Sequence, residues 1–129
     1  MQFKFFSLAA LCAVALAVPA WAHHSHNAYE VTKWSPLEGV VKEVHLVVPH
    51  SWVYLDVKDA KGETTWALEA TGPAGLLRNG IKREDVKVGD KIKVRCHILR
   101  DGTNGCLLGF VTPDHGDMAR GHGVEREWD

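Results

Sequence analysis

Histidines crowd one short stretch near the start of the chain. His23, His24 and His26 follow Ala22, with Ser25 between the second and the third. Neutral imidazole is the commonest side-chain metal ligand, and Cu(II) heads the affinity order of the divalent ions. If residue 23 began the mature chain, its α-amine and its ring would supply two nitrogen donors in one chelate ring. We therefore expect a metal site, for copper first and zinc second; the alternative is a flexible start that chelates adventitiously.

The first 22 residues have the composition of an export signal. Lys4 gives a positive start, residues 5–17 form an apolar run, and Ala20-Trp21-Ala22 supplies the small residues that a signal peptidase needs. The run is too short for a membrane span of about 20 residues. We predict cleavage after Ala22, no stable membrane anchor afterwards, and a periplasmic or secreted protein. Cleavage after Ala20 is the alternative, and it would place His23 third from the amine, where it also chelates Cu(II).

The length of the remaining chain predicts one small domain, and its charge disfavours one class of partner. The whole sequence holds 15 Lys or Arg and 16 Asp or Glu, a formal net charge of −1. Nucleic-acid binding rests on basic charge, so nucleic acid is disfavoured as a partner. We expect an N-terminal arm at 23–36, a barrel domain at 37–112, and a flexible tail at 113–129 that is rich in glycine and charge.

Short apolar runs separated by turn residues predict five strands. They are expected at 37–47, 52–58, 64–70, 91–99 and 105–112. A short helix is expected after the third strand, where Pro73 suits a first helical turn and the Asn-Gly at 79–80 suits a stop. This element order is typical of an all-β, OB-like barrel; a small β-sandwich is the alternative.

The register of the second hairpin follows from its apolar residues. A turn centred on residues 60–61 sets Val53 opposite Leu68 and Leu55 opposite Trp66. Apolar side chains then share one face, as a half-buried antiparallel pair requires. A slip of one residue would destroy this match.

The other face of the hairpin holds further candidate site residues. Trp52 lies opposite Glu69, Tyr54 follows two residues along, and His50 lies diagonal to Glu69, within reach of a long side chain. His50 is expected to bind metal from the barrel, and Glu69 either to bind directly or to orient a ring. We assign Trp52, Tyr54 and Trp66 to a ligand face. The alternative is that His50 only bonds a backbone carbonyl and Trp52 only covers the sheet.

Outward-facing aromatic residues need a cover, and the N-terminal arm is the natural one. Tyr29 and Trp34 are expected to pack over Trp52 and Tyr54. The arm would thereby carry His23 and His24 towards His50 and Glu69.

Two cysteines remain after the signal, Cys96 and Cys106, and turn residues at 101–102 and 104–105 lie between them. Both alternate with apolar residues, so both should point inward, while His97 should point outward. Disulfides persist in exported proteins, and we predict one here. Buried free thiols and soft-metal ligands are the alternatives.

No enzyme motif is recognisable in this sequence: it lacks a GxSxG elbow, a phosphate loop and an HExxH pair. The basic residues Lys91, Lys93 and Arg95 are interpreted as a solvated strand face. The leading hypothesis is a non-enzymatic, periplasmic metal-binding protein that stores, buffers or delivers copper. The second is an interaction or small-ligand module whose Trp52 and Tyr54 face binds a periplasmic partner or a small molecule. An oxidative copper enzyme is the least favoured alternative.

Several short motifs occur together: Ala22-His23-His24-Ser25, Leu37-Glu38-Gly39, Pro49-His50-Ser51-Trp52 and Val88-Gly89-Asp90. The combination resembles a family of uncharacterised exported bacterial β domains that start A-H-H-S and carry N-P-H-x-W, with valine here in place of the asparagine. The resemblance covers about residues 22–114 and implies a small secreted β domain of no assigned activity. It places these residues at motif positions: His23, His24, His50, Trp52, Trp66 and Glu69. In ligand chemistry alone, a terminal histidine also resembles the brace of copper-resistance chaperones and copper monooxygenases.

Overall fold

Alternating apolar residues produce six strands in residues 26–129, the part of the chain that the computed structural model describes. The strands are β1 (Ser35–His45), β2 (His50–Asp59), β3 (Gly62–Thr71), β4 (Lys91–Ile98), β5 (Gly105–Pro113) and β6 (Arg126–Glu127). One helix, α1 (Pro73–Arg78), lies between β3 and β4, with proline in its first turn as expected. Within residues 26–129, no helix combines the length and the apolar character that a membrane crossing needs.

The sheet closes on itself. Its strand order is β3-β2-β1-β4-β5-β6, and β3 also pairs with β5 in parallel, through Ala67↔Gly105, Leu68↔Cys106 and Glu69↔Leu107. The prediction of an OB-like, five-stranded barrel with a short helix between strands 3 and 4 is confirmed, and β6 adds an edge strand beside β5.

The predicted register of the β2–β3 hairpin is confirmed. Val53 pairs with Leu68, and Leu55 pairs with Trp66. Val53, Leu55 and Leu68 are fully buried, because the closed sheet keeps one face of each strand inside the barrel. Their burial makes any other register costly.

The predicted cysteine pair is confirmed as well. The sulfur atoms of Cys96 and Cys106 lie 2.04 Å apart, which is bonding distance, and the two Cα atoms are 5.7 Å apart. Both residues are fully buried in the core. The bond therefore joins the ends of β4 and β5 inside the barrel.

Residues 113–129 pack against the barrel and do not form the flexible tail that their composition indicates. β6 pairs with β5, and the Trp128 side chain is only 3% exposed within the core cluster. Burial is the largest single influence on Asp90 and opposes its ionisation. The hydrogen bonds from the Arg120 guanidinium and the Lys87 N–H, together with the positive charge of Arg120, outweigh burial and hold the pKa of Asp90 below its ordinary value. Trp128, a large aromatic residue in the core cluster, thus anchors a segment that is otherwise mostly hydrophilic.

The N-terminal arm runs along the end of β4. The Glu30 N–H donates to the carbonyl of Ile98, and the Arg100 N–H donates to the carbonyl of Ala28. Tyr29 forms an isolated bridge with Leu99. These backbone bonds fix the place where the Tyr29 side chain enters the barrel end.

Candidate functional site

A buried carboxylate forms the centre of the site. Glu69 lies on β3 and is 6% exposed. Its Oε2 accepts a hydrogen bond of 2.5 Å from the Tyr29 hydroxyl, and its Oε1 lies 2.5 Å from His50 Nδ1. A buried carboxylate is tolerated when both of its oxygens have such partners.

The strand register brings His50 to this carboxylate. Trp52 is the residue directly opposite Glu69, and His50 is opposite Thr71, so His50 and Glu69 are diagonal neighbours. Diagonal Cβ atoms in an antiparallel pair are about 7–8 Å apart, a gap that an imidazole and a glutamate can span together. The predicted proximity of His50 and Glu69 is therefore confirmed.

The contact with Glu69 leaves the other nitrogen of His50 available. Because a carboxylate oxygen accepts, Nδ1 is the donor in this contact, and Nε2 is the nitrogen that Glu69 does not engage. The His50 side chain is 42% exposed, so part of the ring faces solvent. Many metal-binding histidines are held by a carboxylate in this way.

Tyr29 is the site residue whose role sequence reasoning missed. The arm was expected to cover aromatic side chains, whereas the phenol itself reaches the Glu69 carboxylate. Burial, together with the hydrogen bond and the negative charge of Glu69, raises the pKa of Tyr29 above its ordinary value of 10.0. The phenol therefore stays a donor, and a lone tyrosine in the arm was the only signal for this role.

A small pocket of about 120 Å³ opens beside His50. His26 and Asp129 line it together with His50 and Glu69, so the arm does bring a histidine to the barrel site. His23 and His24, the principal predicted ligands, lie outside the described residues. Asp129 was not predicted, because its position depends on the packing of the last segment.

The described residues do not make a complete metal site by themselves. Within residues 26–129, no three His, Cys, Asp or Glu side chains are arranged to hold one ion. Both oxygens of Glu69 are engaged by Tyr29 and His50, so the carboxylate is placed to orient the ring of His50 and not to ligate directly. A metal centre here would need donors from the segment that precedes His26.

The ligand face that the structure shows is smaller than the predicted one. Trp52 and Tyr54 are partly exposed on the outer face of β2, and the His45 ring meets Tyr54 edge-on at 5.4 Å. Trp66 lies opposite Leu55 on the inner face and packs against the core. Its assignment to the ligand face is corrected, because the register that pairs Trp66 with Leu55 also separates it from Trp52.

Trp34 covers a different surface from the one expected. Its ring stacks on His97 at 3.9 Å and packs over Gly109, where an added Cβ would lie 2.2 Å from a ring atom. His97 Nδ1 also lies 2.5 Å from the carbonyl of Lys33. His97 was expected to point outward and to be solvated, but the stacked Trp34 ring and the Lys33 carbonyl cover it, so it is buried.

Two further histidines have structural partners. His115 Nδ1 accepts from the N–H of Asp117, and its Nε2 lies 3.2 Å from the carbonyl of Asp85. His122 Nδ1 accepts from the N–H of Gly116. Both rings organise the segment that leads to β6.

The basic stripe on β4 is neutralised by carboxylates. Lys91 lies 2.9 Å from Glu38, and Arg95 lies 2.7 Å from Glu125. These pairs are consistent with a solvated strand face and leave no unopposed basic strip on β4.

The fold and the site define a small OB-like barrel. At one end of it, Glu69 is in contact with Tyr29 through one carboxylate oxygen and with His50 through the other. The chain belongs to a family of unknown function, DUF6152, whose model matches residues 10–108. The matched region contains Tyr29, His50 and Glu69 and ends before β6 and Trp128. Comparisons with curated proteins and with solved structures give no match. The expectation of an uncharacterised family is confirmed.

Proposed function

We propose that the mature protein is a periplasmic metal-binding protein that prefers copper and stores, buffers or delivers the ion. The observation that carries this proposal is the contact of 2.5 Å between His50 Nδ1 and Glu69 Oε1. It orients the ring of His50, and His50 lines a pocket that His26 also lines. An oriented imidazole beside a histidine-rich segment is a donor arrangement that suits Cu(II), with Zn(II) second.

In this proposal, His23 supplies its amine and its ring, His24 and His50 complete the donors, and His26 lies at the edge of the site. Glu69 acts through His50 as a positioning residue, and Tyr29 holds the second oxygen of that carboxylate. The nitrogen donors bind the ion, and the barrel restricts where the His50 ring can point. This restriction would distinguish the site from a simple peptide chelate.

The test is a Cu(II) titration of exported, processed protein whose first residue has been established by mass spectrometry. The copper EPR spectrum and the affinity are compared with those of a version that carries one extra N-terminal residue. We expect both quantities to change, because the extra residue moves the α-amine away from residue 23. Identical spectra and affinities would refute the terminal-histidine site.

The contribution of the barrel is tested with His50→Ala. We expect the affinity to fall at least about tenfold and the EPR pattern to lose one nitrogen coupling. His45→Ala is the matched control, since His45 is an exposed histidine at the end of β1 that does not line the pocket. Equal binding by both variants would reduce the site to a peptide-like chelate.

A further inference from the structure

A second, larger cavity lies at the side of the barrel that α1 covers. Its volume is about 340 Å³, within the range of small-molecule sites. Most of the lining is apolar and comes from β1 and the residue that follows it, α1, the loop after α1 and the last segment: Val44, Leu46, Pro73, Leu76, Leu77, Ile81, Val86 and Trp128. None of the three residues at the centre of the proposed metal site lines it, so it is a separate site.

The mouth of this cavity carries positive charge. Lys82 and Arg83 line it, with Glu84 as the single acidic residue among the lining side chains. Among the ion pairs of residues 26–129, none involves Lys82 or Arg83, whereas Arg95 and Arg120 are each matched with a carboxylate. The lining side chains therefore carry two basic groups and one acidic group, a net charge of +1 that a negatively charged group would complement.

Hydrogen bonds fix the loop that follows α1 and lines the cavity. The Ile81 N–H donates to the carbonyl of Leu76, and the Lys82 N–H donates to the Asp85 carboxylate. The Arg120 guanidinium donates to the carbonyl of Glu84 from the other side. Leu77 stands at the mouth with 69% of its surface exposed, an apolar residue that the fold itself does not cover. A preformed apolar cavity limits the ordering cost of binding.

We infer that this cavity binds an amphipathic anion, whose unbranched acyl chain lies against Leu76, Ile81 and Trp128 and whose carboxylate or phosphate lies between Lys82 and Arg83. The apolar lining recognises the chain, and the two rim cations recognise the head group. This inference does not depend on the metal, because the cavity shares no residue with the set His50, Glu69 and Tyr29.

The experiment is isothermal titration calorimetry of the mature protein with decanoate, below the concentration at which the amphiphile forms micelles. Decanol and decyltrimethylammonium are the matched probes, with the same chain and a neutral or a positive head. We expect saturable binding of decanoate and at least about tenfold weaker binding of the other two, as for the loss of charge-assisted contacts. Equal affinity for all three probes would overturn the inference.

Two variants locate the binding. Lys82→Glu/Arg83→Glu should weaken decanoate binding at least about tenfold, and Leu77→Asp should weaken it by placing a charge at the mouth without disturbing the core. Lys61→Glu, in the exposed β2–β3 turn, is the control for charge reversal alone. Circular dichroism establishes that each variant is folded. Binding by the double variant equal to that of Lys61→Glu would overturn the inference.

A final arm separates a free ligand from a lipid surface. Vesicles that contain an anionic phospholipid are added in place of decanoate, and co-sedimentation of the protein is measured. We expect no co-sedimentation, since one cavity accepts one chain. Co-sedimentation without saturable decanoate binding would replace the inference with a membrane-docking surface.

Discussion

His50 Nδ1 and Glu69 Oε1 lie 2.5 Å apart although the two residues belong to different strands. The contact follows from the β2–β3 register, which makes them diagonal neighbours on the outer face. Glu69 is in turn bonded to Tyr29 of the arm. A single carboxylate therefore connects the arm to the barrel and sets the direction of the His50 ring.

Glu69→Gln should weaken copper binding about 10- to 100-fold, as the loss of a carboxylate behind a ligating histidine typically does. The amide keeps the size of the side chain but can no longer accept at both positions with a full negative charge. The EPR spectrum should still show the same number of nitrogen donors, because no ligand is removed. Glu63→Gln, at the exposed start of β3, is the control. An affinity equal to that of the control would remove Glu69 from the proposed site.

Tyr29→Phe should lower the free energy of unfolding at pH 7 by about 1.5–3 kcal/mol, the range for a buried hydrogen bond to a charged group. The raised pKa of Tyr29 means that folding favours the neutral phenol. Its contribution is therefore present below pH 10 and is lost progressively as the pH rises above that value. Urea denaturation of both proteins at pH 7 and at pH 11 checks this.

The titration of Tyr29 can be observed directly. The chain has two tyrosines, so Tyr54→Phe leaves one phenol to follow by ultraviolet absorbance. The midpoint in the folded protein should lie above the ordinary value of 10.0 and should fall towards it in urea. A midpoint that urea leaves unchanged would show that the bond to Glu69 does not form.

Cys96→Ala/Cys106→Ala should destabilise the fold by about 2–3 kcal/mol, since the disulfide closes a short loop. Chemical denaturation under oxidising conditions measures the difference. Adding a reductant should bring the natural protein close to the variant and leave the variant unchanged. Insensitivity of both proteins to the reductant would mean that the bond does not form in solution.

Trp128→Ala should destabilise the protein by about 3–5 kcal/mol, because it removes a large side chain that is 3% exposed in the core. Glu127→Ala, next to it and exposed, should change stability by less than about 0.5 kcal/mol. Thermal unfolding followed by circular dichroism compares the two. Equal melting temperatures would support the flexible tail that composition suggested.

The sequence predicts the parts of this fold that depend on the alternation of apolar and polar residues along a strand. Alternation of apolar residues is sufficient for the register that pairs Val53 with Leu68, and this register placed His50 diagonal to Glu69. The same alternation on β4 and β5 turned Cys96 and Cys106 inward. Such features depend on neighbouring strands, whose pairing the pattern specifies.

Features that depend on the path of a loop could not be predicted from this alternation. The burial of His97 under Trp34 depends on where the arm lies and leaves no periodic signature. The bond from Tyr29 to Glu69 depends on where the arm lies, and the burial of Trp128 depends on how residues 113–129 turn back. In each case a long side chain contacts residues that are distant in the sequence, and composition does not predict such contacts.

The parallel pairing of β3 with β5 has a consequence for how the protein matures. Leu68 pairs with Cys106 and Glu69 with Leu107, so the disulfide and the Glu69 carboxylate lie on adjacent rungs of the seam that closes the barrel. Pairing of segments so far apart in the sequence is slow, because a long loop must be ordered before the contact forms. Glu69 therefore acquires its β5 neighbour Leu107 only when the barrel closes. Under the proposed function, an ion would therefore find the complete surroundings of Glu69 only in a protein whose barrel has closed.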